Sequence, residues 1–261
     1  PSWCARDAAR SMSWAFEHER CASNRCGLAL NLRCDNPKVN FPELIQTVLI
    51  YALPVLFAIT LHEAAHGYAA RYFGDNTAWM MGRVTLNPWP HVDLMGTVAM
   101  PLLLYFATSG AFLFGYAKPV PVRIDRLNNP KRDMVWVAFA GPLSNFVQAL
   151  VWGATLYTLI ALGVEERFFI EMCQAGVRVN VVLFVFNLFP LPPLDGGRVL
   201  TGLLPWRASI TFSRIEPYGF YIVMALIVFK IIDTLWMLPL MHVSYEVLDI
   251  LLTPFQSLSS H

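Results

Sequence analysis

The sequence predicts an all-α polytopic membrane protein, and three observations carry that prediction. Of its 261 residues 56% are hydrophobic and only 14% charged, against about 25% charged in an average soluble domain. The mean hydropathy is +0.48. Apolar runs of about 20 residues recur along the chain, each long enough to cross roughly 30 Å of hydrocarbon. Four to six transmembrane helices are therefore expected, and the lipid bilayer is the first partner the composition implies. A net charge of +1 is too small to suggest nucleic-acid binding, and no block of like charges is long enough to act as a basic arm, so no nucleic-acid partner is expected.

The first 38 residues do not match the rest. They are polar, carry six Lys/Arg and four Asp/Glu, and hold four of the five cysteines, Cys4, Cys21, Cys26 and Cys34. Those spacings fit no zinc-finger pattern, so residues 1–38 are expected to be disordered or a non-native upstream extension, with a native start at Val39. No secretory signal with a small-residue cleavage site precedes the first apolar run, so that run is expected to stay in the membrane. Spans are expected at 44–71, 134–162, 174–194 and 217–240, with a further apolar segment at 95–115. The stretch 243–254 is short and holds Glu246 and Asp249, which suits an interfacial helix better than a span. Cys173, the remaining cysteine, reads as a small apolar core residue.

Within the first span lies Leu61-His62-Glu63-Ala64-Ala65-His66-Gly67. On a helix His62 and His66 are four residues apart, so both imidazoles leave one face and can bind one Zn²⁺. Glu63 then sits close enough to take a proton from a water activated at the metal. By itself such a motif also occurs by chance. Three ionisable groups in five positions of an apolar segment cost several kcal/mol unless something compensates them, which makes the cluster a candidate functional site.

The span at 174–194 ends in Asn187-Leu188-Phe189-Pro190-Leu191-Pro192-Pro193-Leu194-Asp195-Gly196-Gly197-Arg198. Three prolines in four positions forbid a regular helix there. Irregular backbone at membrane depth is tolerated only where protein buries it or water reaches it. Asp195 alone could be a helix cap, but coupled to the two histidines it completes a His₂-carboxylate set.

The stretches HEAAHGYAARYFGD, GRVTLNPWPHVD, KPVPV, AGPLSN and NLFPLPPLDGGRVL resemble the site-2 protease family of intramembrane zinc metalloproteases over about residues 42–210. The resemblance is to a compact form, since the chain has no room for a PDZ or CBS module, and it makes 39–261 one transmembrane metalloprotease domain. It implies hydrolysis of a peptide bond of membrane-spanning substrates, one Zn²⁺ per chain, His62, His66 and Asp195 as its ligands and Glu63 as the catalytic glutamate. It also implies that Asn187 contacts substrate or the developing oxyanion. Asn145 falls on another motif asparagine, for which span packing is at least as good an explanation. Arg83-Val84-Thr85-Leu86 and Lys118-Pro119-Val120-Pro121-Val122 read either as plain loops or as extended pieces beside the site, where the family keeps a short membrane-associated β element to which a substrate could add.

Topology constrains the same residues. His62 and Asp195 meet at one depth only if their spans run parallel, which requires an odd number of crossings between them. The segment 95–115, interrupted by Gly96, Pro101, Gly110 and Gly115, is then re-entrant. Basic residues in 71–83, 118–132 and 198–214 place those loops in the cytoplasm, and a bacterial cytoplasmic membrane is the expected location. His91 and Asp93 fit a proline-fixed turn better than a second ligand pair, and His242 and Asp233 carry no assigned role. Two rivals predict different sequences: a non-catalytic client-binding protein of this fold would lose Glu63 or a ligand, and a metal transporter would line up more ligand residues across the bilayer.

Overall fold

The computed structural model describes residues 41–85, 87 and 118–258. Helix α1 spans Phe41–Tyr72. A four-residue helix α2, Thr77–Met80, follows it. Helix α3 spans Pro130–Ala161 and α4 Arg167–Asn187. Two short helices come next, α5 at Asp195–Leu203 and α6 at Trp206–Ser213. Helix α7 spans Glu216–Val228, and a π-helical turn at Asp233–Met237 leads into α8, Leu238–Leu258. Four stretches are long and apolar enough to cross a membrane: Ile45–Tyr72, Pro130–Ala161, Arg167–Asn187 and Asp233–Ser257. The protein is thus an integral membrane protein whose regular secondary structure, among the described residues, is helical, with no strand.

Side-chain pairing sets the helix directions. Asn145 of α3 reaches Ala58 of α1 while Val137 reaches His66, so the two helices are antiparallel. Asn145 also reaches Asn180 of α4, and a Cβ on Gly176 would fall 2.4 Å from the ring of Trp152, so α3 and α4 are antiparallel too. Tyr51 meets Arg178 and His62 meets Asp195. Helices α1 and α4 therefore run parallel, as the chain requires if its two motifs are to meet. Close approach of the three depends on small residues: Ala58, Ala70 and Ala149 have no exposed surface, which suits helix packing where lipid competes with side chains. A second layer forms where Val177, Val181 and Val185 of α4 pack with Tyr245 and Leu248 of α8.

Two span boundaries differ from expectation. The span expected at 174–194 is Arg167–Asn187, because Pro190, Pro192 and Pro193 have no N–H with which to extend the helix. The span expected at 217–240 is broken: α7 stops at Val228, Lys230 takes a φ of 56°, and the stretch long and apolar enough to cross is Asp233–Ser257. The supposed interfacial helix 243–254 is part of that stretch. Glu246 is accommodated by pairing with His242 at 3.2 Å on the helix surface, and Asp249 by Gln256 at 2.6 Å. Residues 1–38, the segment 95–115, and His91 and Asp93 lie outside the described residues.

The β element is not among the described residues. Residues 118–122 form an irregular strap without ladder bonds among the described residues, since Pro119 and Pro121 lack the donors a ladder needs. Two carboxylates hold it instead. The Val120 N–H donates to Glu63 Oε2 at 2.7 Å, and the Arg123 N–H to Asp75 Oδ2 at 2.7 Å. The Val120 side chain packs with Ala78 and Val84, against Gly67, where a Cβ would come within 2.6 Å of Val84.

Candidate metal centre

Pro54, Ala58, His62, His66 and Ala70 recur every fourth residue of α1, and all five are buried. That row is the face α1 turns to α3 and α4, so both imidazoles point inward by helix geometry alone. Asp195 arrives from the other side as the first residue of α5. The preceding turn folds back so tightly that a Cβ on Gly196 would lie 2.1 Å from the Leu188 carbonyl oxygen, and one on Gly197 2.2 Å from the Pro192 nitrogen. Only glycine permits this approach.

The three polar atoms converge. His62 Nε2 and His66 Nε2 lie 3.1 Å apart, and Asp195 Oδ2 lies 3.1 Å from the first and 3.3 Å from the second. Each of the three residues is about 8% exposed, so water does little to offset their mutual repulsion.

The outer contacts decide which atoms carry protons. Asn145 Nδ2 donates to the Ala58 carbonyl at 3.2 Å and to Asn180 Oδ1 at 3.0 Å, which leaves its Oδ1 as the acceptor facing His62 Nδ1 at 2.6 Å. Asn180 Nδ2 in turn donates to the Gly176 carbonyl at 2.9 Å. His66 Nδ1 donates to the Val137 carbonyl at 2.7 Å. Both imidazoles therefore place their N–H on Nδ1 and their lone pair on Nε2. Two lone pairs and a carboxylate oxygen then face one another without a donor between them. A proton would satisfy one such pair; a divalent cation satisfies all three atoms at once.

The fit to zinc is metric as well. Ligands about 2.0–2.1 Å from a tetrahedral Zn²⁺ stand about 3.3 Å from each other, which matches the separations of 3.1, 3.1 and 3.3 Å. Space is reserved at the same point. A Cβ on Gly141 of α3 would fall 2.3 Å from His66 Nε2 and 2.7 Å from His62 Cε1, so this glycine keeps the inner faces of the rings clear.

Glu63 is half-buried one residue along α1, with Oε2 on the Val120 N–H. Asn187, the last residue of α4, donates from Nδ2 to the Leu183 carbonyl at 3.0 Å, which leaves one N–H and its oxygen without a partner among the described residues. Asn145 has more to do than span packing, since it orients His62. Gly141 and Asn180 escaped sequence reasoning. Gly141 stood inside the quoted AGPLSN, where a glycine beside Pro142 within a span was the only signal; Asn180 had no signal beyond being polar in an apolar run.

Val120, which bonds Glu63, and Pro192 of the turn before Asp195 line an open cleft of about 670 Å³ whose walls include Lys131, Arg198, Thr201 and Trp206. It brings a partly polar volume up to the strap and the proline turn.

An inward-facing His₂-carboxylate cluster between membrane-spanning helices defines a membrane-embedded metalloprotein. Comparison with known proteins gives the particular kind: the chain belongs to peptidase family M50, the site-2 protease family of zinc-dependent membrane proteases. The profile described as "Peptidase family M50" matches residues 163–230. A Bacillus subtilis protein named "Putative zinc metalloprotease YwhC" is 37% identical over 197 residues, covering 72% of this chain and 83% of its own. Rip2 of Mycolicibacterium smegmatis, which bears the same descriptive name, is 28% identical over 180 residues, 66% of this chain and 64% of its own. Rip3 of Mycobacterium tuberculosis, again so named, is 29% identical over 160 residues, 60% of this chain and 31% of its own. No solved structure matches.

Proposed function

We propose that this protein is an intramembrane zinc metalloendopeptidase that hydrolyses peptide bonds of membrane-spanning protein substrates, with residues 39–261 as its single domain. The observation that carries the reading is the convergence of His62, His66 and Asp195 at tetrahedral-edge distances with no donor among them. These three hold one Zn²⁺. When bound, the ion supplies Lewis-acid activation of water and of the scissile carbonyl.

The chain's own groups do the rest. Glu63 Oε1, the oxygen not held by Val120, takes the proton of the attacking water and returns it to the leaving amine. Asn187 offers its remaining N–H to the carbonyl oxygen as charge develops there. The Asn145–Asn180 pair and the Val137 carbonyl keep both rings in the ligating tautomer. The cleft beside the strap supplies the water that hydrolysis consumes, and the strap side faces the cytoplasm of a bacterial inner membrane.

The deciding experiment compares wild type with Glu63→Gln in detergent micelles, measuring bound zinc and cleavage of a single-span test protein. Near-stoichiometric zinc in both, with cleavage only by wild type, is the expected result. Equal cleavage by both would remove the mechanism. Absence of zinc from the wild type would remove the metal site.

A further inference from the structure

Glu63 lies in the middle of the HExxH motif, yet its hydrogen-bond partner among the described residues is a backbone amide 57 residues away, the Val120 N–H at 2.7 Å. The sequence around that amide is unusual. In Lys118-Pro119-Val120-Pro121-Val122 the prolines have no N–H, so across 119–121 Val120 holds the only main-chain donor. Proline also fixes φ near −65° and pushes the residue before it into extended backbone. Both Lys118 and Val120 precede a proline, so the strap's shape and the direction of its one donor are set before anything docks on it.

Docking is then fixed at two points. The Val120 side chain is 6% exposed and packs with Ala78 and Val84. The space for Val84 over α1 exists because residue 67, one turn after Glu63, is glycine. Three residues on, the Arg123 N–H is held by Asp75. A strap anchored at Val120 and again at Arg123 cannot swing its amide away from Glu63 without breaking the apolar contact or the Asp75 bond.

From this geometry we infer that the Val120 main-chain amide is a positioning group for Glu63: it holds Oε2 so that Oε1 is the oxygen presented to the attacking water. The inference rests on the proposed role of Glu63 as general base. A free glutamate on a helix samples several rotamers, and a charge-assisted bond to a fixed amide selects among them. No adjacent main-chain amide can substitute for it, because the flanking prolines Pro119 and Pro121 have no N–H. The same arrangement makes the strap unsuited to conventional strand pairing on the side of residues 119 and 121, where it has carbonyls but no N–H.

The test removes one atom pair. Replacing Val120 by its α-hydroxy acid turns the amide into an ester, which deletes the N–H and keeps the side chain; the same replacement at Val122 is the control. Cleavage of a single-span test protein is expected to show kcat lowered by about tenfold to a hundredfold for the Val120 ester, with KM and zinc content unchanged and the Val122 ester like wild type. A second arm does not depend on catalysis. Hydrogen exchange of the zinc-loaded protein is followed at Val120, whose amide is expected to exchange at least about tenfold faster in Glu63→Ala than in wild type. A Val120 ester with wild-type kcat overturns the positioning role while leaving the peptidase reading intact. Unchanged exchange in Glu63→Ala overturns the bond itself. A wild type that holds zinc but cleaves nothing removes the peptidase reading and this role with it, whatever the exchange rates.

Discussion

His62 Nδ1 donates to Asn145 Oδ1 at 2.6 Å, and the asparagine can accept there only because both of its own N–H groups are spent on Ala58 and Asn180. The direction of one amide thus sets the tautomer of an imidazole on another helix.

Breaking that relation weakens the metal site before it weakens the fold. Asn145→Ala removes the acceptor and is expected to lower zinc affinity by about 10- to 100-fold, the usual effect of losing an outer-shell partner of a ligating histidine. Competition with a chromophoric chelator measures it. Unchanged affinity would reduce Asn145 to a packing residue.

Gly141→Ala is expected to abolish zinc binding and cleavage while helix content, read by far-UV circular dichroism, is retained. The added Cβ would sit 2.3 Å from His66 Nε2, whereas alanine itself favours the helix. Stoichiometric zinc in this variant would show that the rings can move aside at little cost.

Metal removal should register in stability as well as in activity. A ligand present at about 1,000 times its Kd stabilises the native state by about 4 kcal/mol, so chelation is expected to lower the melting temperature of the wild type in micelles. Asp195→Asn weakens the site, and its melting temperature is expected to respond little to the chelator. Equal responses would place the metal elsewhere.

Asp75 links pH to the strap. It is inaccessible to solvent, and its oxygens accept the Thr77 and Arg123 N–H groups at 2.9 and 2.7 Å. Burial works against its ionisation, but hydrogen bonds from Thr77 and Arg123, with Arg126 nearby, outweigh burial and hold the carboxyl below its ordinary range. A group whose pKa is lower in the folded state contributes stability that is present above its unfolded pKa, about 3.9, and is lost as pH falls through the folded value. Asp75→Asn is therefore expected to destabilise by about 1–3 kcal/mol at pH 7. The gap in melting temperature between variant and wild type should close as the pH is lowered below 4. A gap independent of pH would mean that the carboxylate charge contributes nothing.

The membrane class, the parallel relation of the first and third described spans and the three candidate ligands were legible because each leaves a local mark: long apolar runs, a four-residue histidine spacing, and prolines that end a helix before Asp195. Segment ends were less legible. The break at Lys230 has no proline or glycine to announce it, and 243–254 looked too polar to cross because Glu246 and Asp249 find partners one and two turns away on their own helix.

What the sequence determined by itself was the candidate donor set and the face of α1 that carries two of its three members, since spacing along a helix fixes direction. Which proton sits on which ring nitrogen, why residue 141 has no side chain, and which main-chain amide holds Glu63 were decided only by the tertiary structure. Those facts depend on contacts between residues 57 to 83 positions apart, and pairing at that range leaves no period in a sequence to be read.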